Sequence, residues 1–133
     1  MSNILYVEDD EISREIMQVI VCDLMGIENL TIFSDSQNFL ERVQALNPQP
    51  TLFLLDIHVP PYDGFKMLKM LHEHPQYQAA RVIALTASVM NEEVEQLKHA
   101  GFDGIIAKPI DMDSFPTLLQ KIMNGDAVWS VVN

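Results

Sequence analysis

Glu8, Asp9, Asp10 and Glu11 follow one another directly after the apolar run Ile4-Leu5-Tyr6-Val7, and another carboxylate, Asp56, closes the run Thr51-Leu52-Phe53-Leu54-Leu55. Two further polar groups stand in the same relation to apolar runs: Thr86 after Val82-Ile83-Ala84-Leu85, and Lys108 after Ile105-Ile106-Ala107. A helix dipole favours acidic residues at its N-terminus, which accounts for one or two of the first carboxylates but not for all of them. If the runs are neighbouring strands their ends converge, and carboxylates gathered there repel one another unless a cation sits among them. Hard oxygen donors suit Mg²⁺, which keeps several waters and takes only one or two protein carboxylates. A carboxylate left over can act as a nucleophile, as in enzymes that pass through an aspartyl phosphate. A threonine hydroxyl and a lysine ammonium are the partners that the remaining oxygens of a phosphoryl group need. A lone Asp after a strand is otherwise a turn or a helix cap, so the arrangement of the strands decides between the two.

The run ending at Asp56 is bounded by Asn47-Pro48-Gln49-Pro50 and by Pro60-Pro61-Tyr62-Asp63-Gly64, the pattern of a strand buried on both faces in a parallel sheet. Helical spacing recurs between the runs. Ile12, Ile16, Val19, Ile20 and Leu24 form one apolar face that stops at Gly26, and Leu30-Thr31-Ile32-Phe33 is a strand. Asp35 or Ser36 is expected to cap a helix with Phe39, Leu40, Val43 and Leu46, closed by Asn47-Pro48. Phe65, Met67, Leu68 and Leu71 lie on a helix ending near His74-Pro75, because proline disfavours helix at the residue before it. After Thr86 the small residues Ala87 and Ser88 would allow a close approach, and Asn91 is expected to cap a helix with Val94, Leu97 and Lys98 running to Gly101. The last helix carries Phe115, Leu118, Leu119 and Ile122, with Pro116 tolerable only in its first turn, and Gly125 stops it. Strands alternating with helices through short connections predict an α/β fold: a five-stranded parallel sheet, doubly wound, with helices on both faces. In such sheets ligands sit outside the carboxyl ends of the strands, where all the polar groups named above converge.

The chain of 133 residues, 48% of them apolar, matches one domain with one proper core. Residues 1–125 are expected to form it, and the apolar tail Ala127-Val128-Trp129-Ser130-Val131-Val132 to pack on the domain or at an interface. Met1-Ser2-Asn3 runs straight into a strand, so no leader is expected, and no segment approaches the roughly 20 apolar residues of a membrane span. The single cysteine, Cys22, leaves no internal disulfide and fits a reducing cytoplasm. A net charge of −11 opposes binding to nucleic acid or an anionic membrane.

With Val7-Glu8-Asp9-Asp10, Leu55-Asp56-Ile57-His58-Val59-Pro60, Asp63-Gly64, Leu85-Thr86-Ala87 and Ala107-Lys108-Pro109-Ile110-Asp111 in order at strand ends, the chain resembles from end to end a receiver domain of the two-component response regulators. The resemblance implies the flavodoxin-like strand order 2-1-3-4-5, and that Asp56 accepts a phosphoryl group from a histidine kinase or a phosphotransfer protein. It further implies that Asp9 binds Mg²⁺ directly, Glu8 through water and His58 through its backbone carbonyl, that Thr86 and Lys108 contact the phosphoryl oxygens, and that the Lys108-Pro109 peptide is cis. Phosphoryl transfer to Asp56 and hydrolysis from it would be the chain's only reaction. Two positions depart from the family. Glu8 stands where Asp is commoner, and Ile105 stands where many members carry Tyr or Phe, so switching is expected to run through the Thr86 hydroxyl and the loop after it. His58 borders the phosphoryl group at a variable position. Since only a short tail follows the last helix, output is expected through binding of another protein, by a monomer or weak homodimer.

Other readings fit less well. Asp56-Ile57-His58 comes near a cobalamin-binding pattern, but that pattern belongs after the first strand and needs a glycine that is absent. A flavin-binding protein of the same fold needs a Ser/Thr/Gly-rich loop after the first strand, where Glu8 to Glu11 would repel the phosphate. No glycine-rich loop of the dinucleotide or Walker kind is present. The alternative from another class is a receiver-shaped interaction module that works without phosphorylation. Such modules usually lack an acidic ligand, the acceptor or the lysine, and this chain has all of them.

Overall fold

The computed structural model describes residues 3–87 and 90–130, so Ser88 and the tail residues Val131 and Val132, for which the sequence carries expectations, lie outside the described residues. In chain order the elements are β1 (Ile4–Val7), α1 (Glu11–Gln18) continuing as a π-helical segment (Val19–Leu24), β2 (Leu30–Phe33), α2 (Phe39–Gln44) and β3 (Leu52–Asp56). A small hairpin of β4 (His58–Val59) and β5 (Tyr62–Asp63) comes next, followed by α3 (Gly64–His72) and β6 (Arg81–Thr86). The chain then forms α4 (Asn91–Ala100), β7 (Gly104–Ala107), α5 (Phe115–Met123) and β8 (Trp129–Ser130).

The five long strands stand parallel in the order β2-β1-β3-β6-β7, the predicted flavodoxin-like arrangement, and β8 extends the sheet beyond β7. Alternation along each strand builds two cores. Leu5, Val7, Phe53, Leu55, Ala84 and Ile105 face α2, α3 and α4, while Ile4, Tyr6, Leu52, Leu54, Leu85 and Ile106 face α1 and α5. Carrying that alternation past the strand ends puts Glu8, Asp56 and Lys108 in step with Tyr6, Leu54 and Ile106, on the α1 and α5 side. Thr86 is in step with Ala84, on the side of Ile105.

Three local expectations are corrected. The apolar face of the first helix does not run from Ile12 to Leu24: Met17, Ile20 and Val21 are buried, whereas Ile12 is 66% and Leu24 59% exposed. From Val19 the helix widens to π turns, which take more residues each, so a 3.6-residue count carried from Ile12 loses register. Neither Asp35 nor Ser36 caps α2; its N-cap is Asn38, in the left-handed region at φ 50° and with no side-chain cap bond. Asp35 instead accepts from Gln37 N–H at 2.9 Å, and Ser36 is fully buried. Asn91 is the first residue inside α4, with Met90 at the cap.

The sheet edge beyond β7 is built for close approach. Ile105 N–H donates to the Val128 carbonyl at 2.8 Å, and a Cβ at Gly104 would lie 2.6 Å from that same oxygen. Arg81 holds the turn before it, donating to the Ile122 carbonyl at 2.6 Å and the Asp126 carbonyl at 2.7 Å. Trp129 pairs in register with Ile105, and Lys98 Nζ lies 5.0 Å from its ring centroid.

Candidate phosphoacceptor and metal site

Asp56 ends β3, the middle strand, and is 6% exposed; Glu8 follows β1 and is fully buried. Lys108 follows β7 and reaches across both: its Nζ donates to Glu8 Oε1 at 2.7 Å and to Asp56 Oδ2 at 2.8 Å. The other carboxylate oxygens are also occupied. Asp56 Oδ1 accepts from the His58 backbone N–H at 3.0 Å, and Glu8 Oε2 accepts from Asp10 N–H at 3.3 Å. Tyr6, two residues before Glu8 on the same strand face, donates its hydroxyl to Glu8 Oε1 at 3.0 Å.

Asp9 is exposed at the rim, and ligand oxygens of Glu8, Asp9 and Asp56 all lie within 4.8 Å of one another. Three hard oxygen donors, two of them buried and one open to water, fit a small divalent cation that retains part of its hydration. Asp10 belongs to the helix instead: its Oδ2 caps α1, accepting from Ser13 N–H at 2.8 Å and Ser13 Oγ–H at 2.7 Å. Thr86, 5% exposed, ends β6 one residue beyond the partner of Asp56, and its carbonyl accepts from Lys108 N–H at 2.9 Å. The Lys108-Pro109 peptide is cis. His58 opens β4 with its side chain exposed, so it meets Asp56 through its main chain.

A sequence profile of the response regulator receiver domain matches residues 4–120. The chain belongs to this family. It is 28% identical over 121 residues to the osmosensing histidine protein kinase SLN1 of Saccharomyces cerevisiae, covering 89% of this chain but 10% of that protein. It is 26% identical over 129 residues to the signal transduction histidine-protein kinase BarA of Escherichia coli, covering 97% of this chain and 14% of the relative. The chain thus spans only a small part of those kinases. With the polar-differentiation response regulator DivK of Brucella anthropi, identity is 28% over 126 residues, 94% of this chain and 98% of the other. Among solved structures, the chemotaxis response regulator CheY4 of Vibrio cholerae superposes with a TM-score of 0.81 at 23% identity, over 92% of this chain and 98% of that one.

Charge at the receiver site is unbalanced: two buried carboxyl groups, Glu8 and Asp56, face the one ammonium of Lys108. Burial pushes Glu8 up to about 7, helped by a hydrogen bond with Asp56 and opposed by Lys108. Burial works against charge on Asp56 as well, but its bonds with Glu8, Lys108 and the His58 N–H outweigh that and hold its carboxyl below the usual range. For Lys108, burial is outweighed by Asp56 and Glu8, and the ammonium is held above its ordinary pKa. The metal-free domain therefore keeps a proton on Glu8 that an unfolded chain would lose near pH 4.5. That proton favours the fold below 4.5, and the contribution is lost as pH rises through about 7. A divalent cation needs the charged form. Its affinity is therefore expected to rise about tenfold per pH unit below neutrality and to level off above it, with a proton released on binding. Calorimetric Mg²⁺ titrations in buffers of different ionisation enthalpy measure both, and an affinity flat from pH 5.5 to 8 would show that Glu8 carries no such proton.

Sequence reasoning read Tyr6 only as part of an apolar strand. Its spacing of two from Glu8 was the available signal, since alternate residues of a strand share a face.

Proposed function

We propose that this receiver domain is a phosphorylation-dependent signalling switch in which Asp56 takes a phosphoryl group from the phosphohistidine of a sensor kinase or phosphotransfer protein. What supports this is the single contact system that unites the strand ends: the Lys108 ammonium bonded to both Asp56 and Glu8, with Asp9 at the rim. A carboxylate oxygen of Asp56 attacks phosphorus, the P–N bond to the donor imidazole breaks, and the imidazole leaves with its electron pair and takes up a proton. Water later attacks phosphorus, returning the carboxylate and inorganic phosphate.

Asp9 and Asp56 would hold Mg²⁺, with Glu8 behind them and the His58 carbonyl as a further donor. When bound, the ion would neutralise the charge that gathers on the transferring phosphoryl group. The chain's own residues do the rest. The His58 N–H orients Asp56, Lys108 can turn from Asp56 Oδ2 to a phosphoryl oxygen, and Thr86 lies at the adjacent strand end for another. No separate substrate is turned over. The output is a change in protein–protein binding, and the acidic surface that goes with a net charge of −11 favours protein over nucleic acid as the downstream partner. Among the described residues no helix is long and apolar enough to cross a membrane. The proposed setting is the cytoplasm, where a free thiol such as Cys22 stays reduced.

Incubation with acetyl phosphate and Mg²⁺, followed by intact mass, tests the reading. A single phosphoryl gain that is absent in EDTA is expected; no gain would leave a receiver-shaped binding module.

A further inference from the structure

The hairpin that follows Asp56 is closed by a residue from a distant loop. Ser36, which follows β2, is fully buried, and its hydroxyl lies between the two strands of the hairpin. Oγ donates to the Val59 carbonyl at 2.6 Å, within reach of the Tyr62 carbonyl at 3.1 Å, and accepts from the Tyr62 N–H at 2.7 Å. Ser36 N–H adds a bond to the Pro60 carbonyl at 3.1 Å. The intervening Pro60-Pro61 has no N–H of its own to offer, so the turn depends on outside partners.

The other end of the hairpin is tied to the site. His58 opens β4 and donates to Asp56 Oδ1; its partner in the ladder, Asp63, accepts from Lys66 N–H at 2.8 Å and caps α3. Gly64 N–H donates to the Ile57 carbonyl at 2.8 Å, and a Cβ at Gly64 would lie 2.6 Å from Ile57 Cδ1, so the stem is packed without slack. The loop that carries Ser36 is itself braced, because Asp35 Oδ1 accepts from both Gln37 N–H and Arg42 Nη1.

We infer that Ser36 is a positioning residue for the phosphoacceptor site. By bridging Val59 and Tyr62 it fixes the hairpin whose first residue presents its N–H to Asp56 and would offer its carbonyl to a bound metal ion. This rests on the proposed function for the metal and the phosphoryl group, whereas the hydrogen-bonded tie itself does not. Removing a hydroxyl that holds a ligand-bearing segment is expected to weaken the metal site about as outer partners of metal ligands do, by at least about tenfold in affinity.

The test compares Ser36→Ala with Val43→Ala, a cavity variant in the same core whose side chain is buried on α2. Three quantities are read on folded protein: Mg²⁺ affinity, labelling by acetyl phosphate at saturating Mg²⁺, and hydrogen-exchange protection of the His58 and Tyr62 amides without metal. Ser36→Ala is expected to lose about tenfold in Mg²⁺ affinity, to label more slowly and to lose protection at both amides. Val43→Ala should lower thermal stability while leaving all three at wild-type values. Wild-type affinity and amide protection in Ser36→Ala, or equal losses in Val43→Ala, would overturn the inference. If wild type itself neither binds Mg²⁺ nor is labelled, the functional reading fails, and unchanged amide protection in Ser36→Ala then overturns the tie as well. Should Ser36→Ala not fold, Ser36→Cys fills nearly the same space with a far weaker acceptor and is read in the same way.

Discussion

Asp56→Asn is expected to abolish phosphoryl uptake from acetyl phosphate while leaving the domain folded. An amide cannot supply the attacking carboxylate, and the neighbouring carboxylates among the described residues are committed otherwise. Glu8 is fully buried with its oxygens bonded by Tyr6, Lys108 and the Asp10 N–H, and Asp9, exposed at the rim, is the proposed metal ligand. The substitution also relieves the crowding of charge. With Asp56 neutral, Lys108 answers to Glu8 alone, and the pKa of Glu8 falls because the neighbouring carboxylate no longer opposes its ionisation. Near neutral pH the buried pair becomes one acid and one base. Stability by urea denaturation should therefore change by no more than about 1 kcal/mol, the scale of one hydrogen bond. A phosphoryl mass gain that survives the substitution would remove Asp56 from its role.

Lys108→Ala should have the second-largest effect, and its sign depends on the metal. Taking one partner from a buried ion pair leaves an uncompensated charge and typically costs about 3–5 kcal/mol. Here the loss should be nearer to about 2 kcal/mol, because the Lys108 side chain is 19% exposed and the carboxylates left behind can hold their shared proton more firmly. Mg²⁺ should close much of that gap, since the ion restores positive charge among the same oxygens, and the variant should bind Mg²⁺ more tightly than wild type. Urea denaturation at pH 7.5 with and without Mg²⁺ measures the difference. A stability deficit that Mg²⁺ does not narrow would mean that the ammonium and the ion do not compete for one site. The phosphorylated variant should in addition lose the phosphorylation-dependent part of its partner binding.

The frame of the site was legible because each polar group ends an apolar run, and strand alternation then aims it. Glu8 and Asp56 stand out as carboxylates closing the runs of β1 and β3, whereas the bond from Tyr6 emerges only when the period of two is counted back along β1. Contacts that join distant stretches left no such trace. Ser36 lies after a strand and before a helix, where a hydroxyl ordinarily reads as a cap, and nothing local distinguishes that from its bonds to residues 23 and 26 positions away. The hairpin after Asp56 leaves no strand pattern in the sequence because each of its strands is only two residues long, and Pro60 to Gly64 look like turn residues alone. The π segment escaped for a different reason: Val19 to Leu24 is apolar on several sides, so composition fits more than one helical pitch. In β8 the pairing depends on Gly104 leaving room for the Val128 carbonyl, a fit between two backbones that apolarity alone does not reveal.

Trp129, the chain's single tryptophan, turns that sheet edge into an optical channel. Its register partner Ile105 lies three positions before Lys108, about 10 Å along a strand, so an ion among the carboxylates is too far away to quench the indole by contact. The indole instead shares its surroundings with Ile105 and the Lys98 ammonium of α4. Its emission would be sensitive to the spacing of α4 from the sheet and largely indifferent to metal occupancy, and because no second indole contributes, a spectral shift that follows phosphoryl transfer can be ascribed to that edge without further labelling.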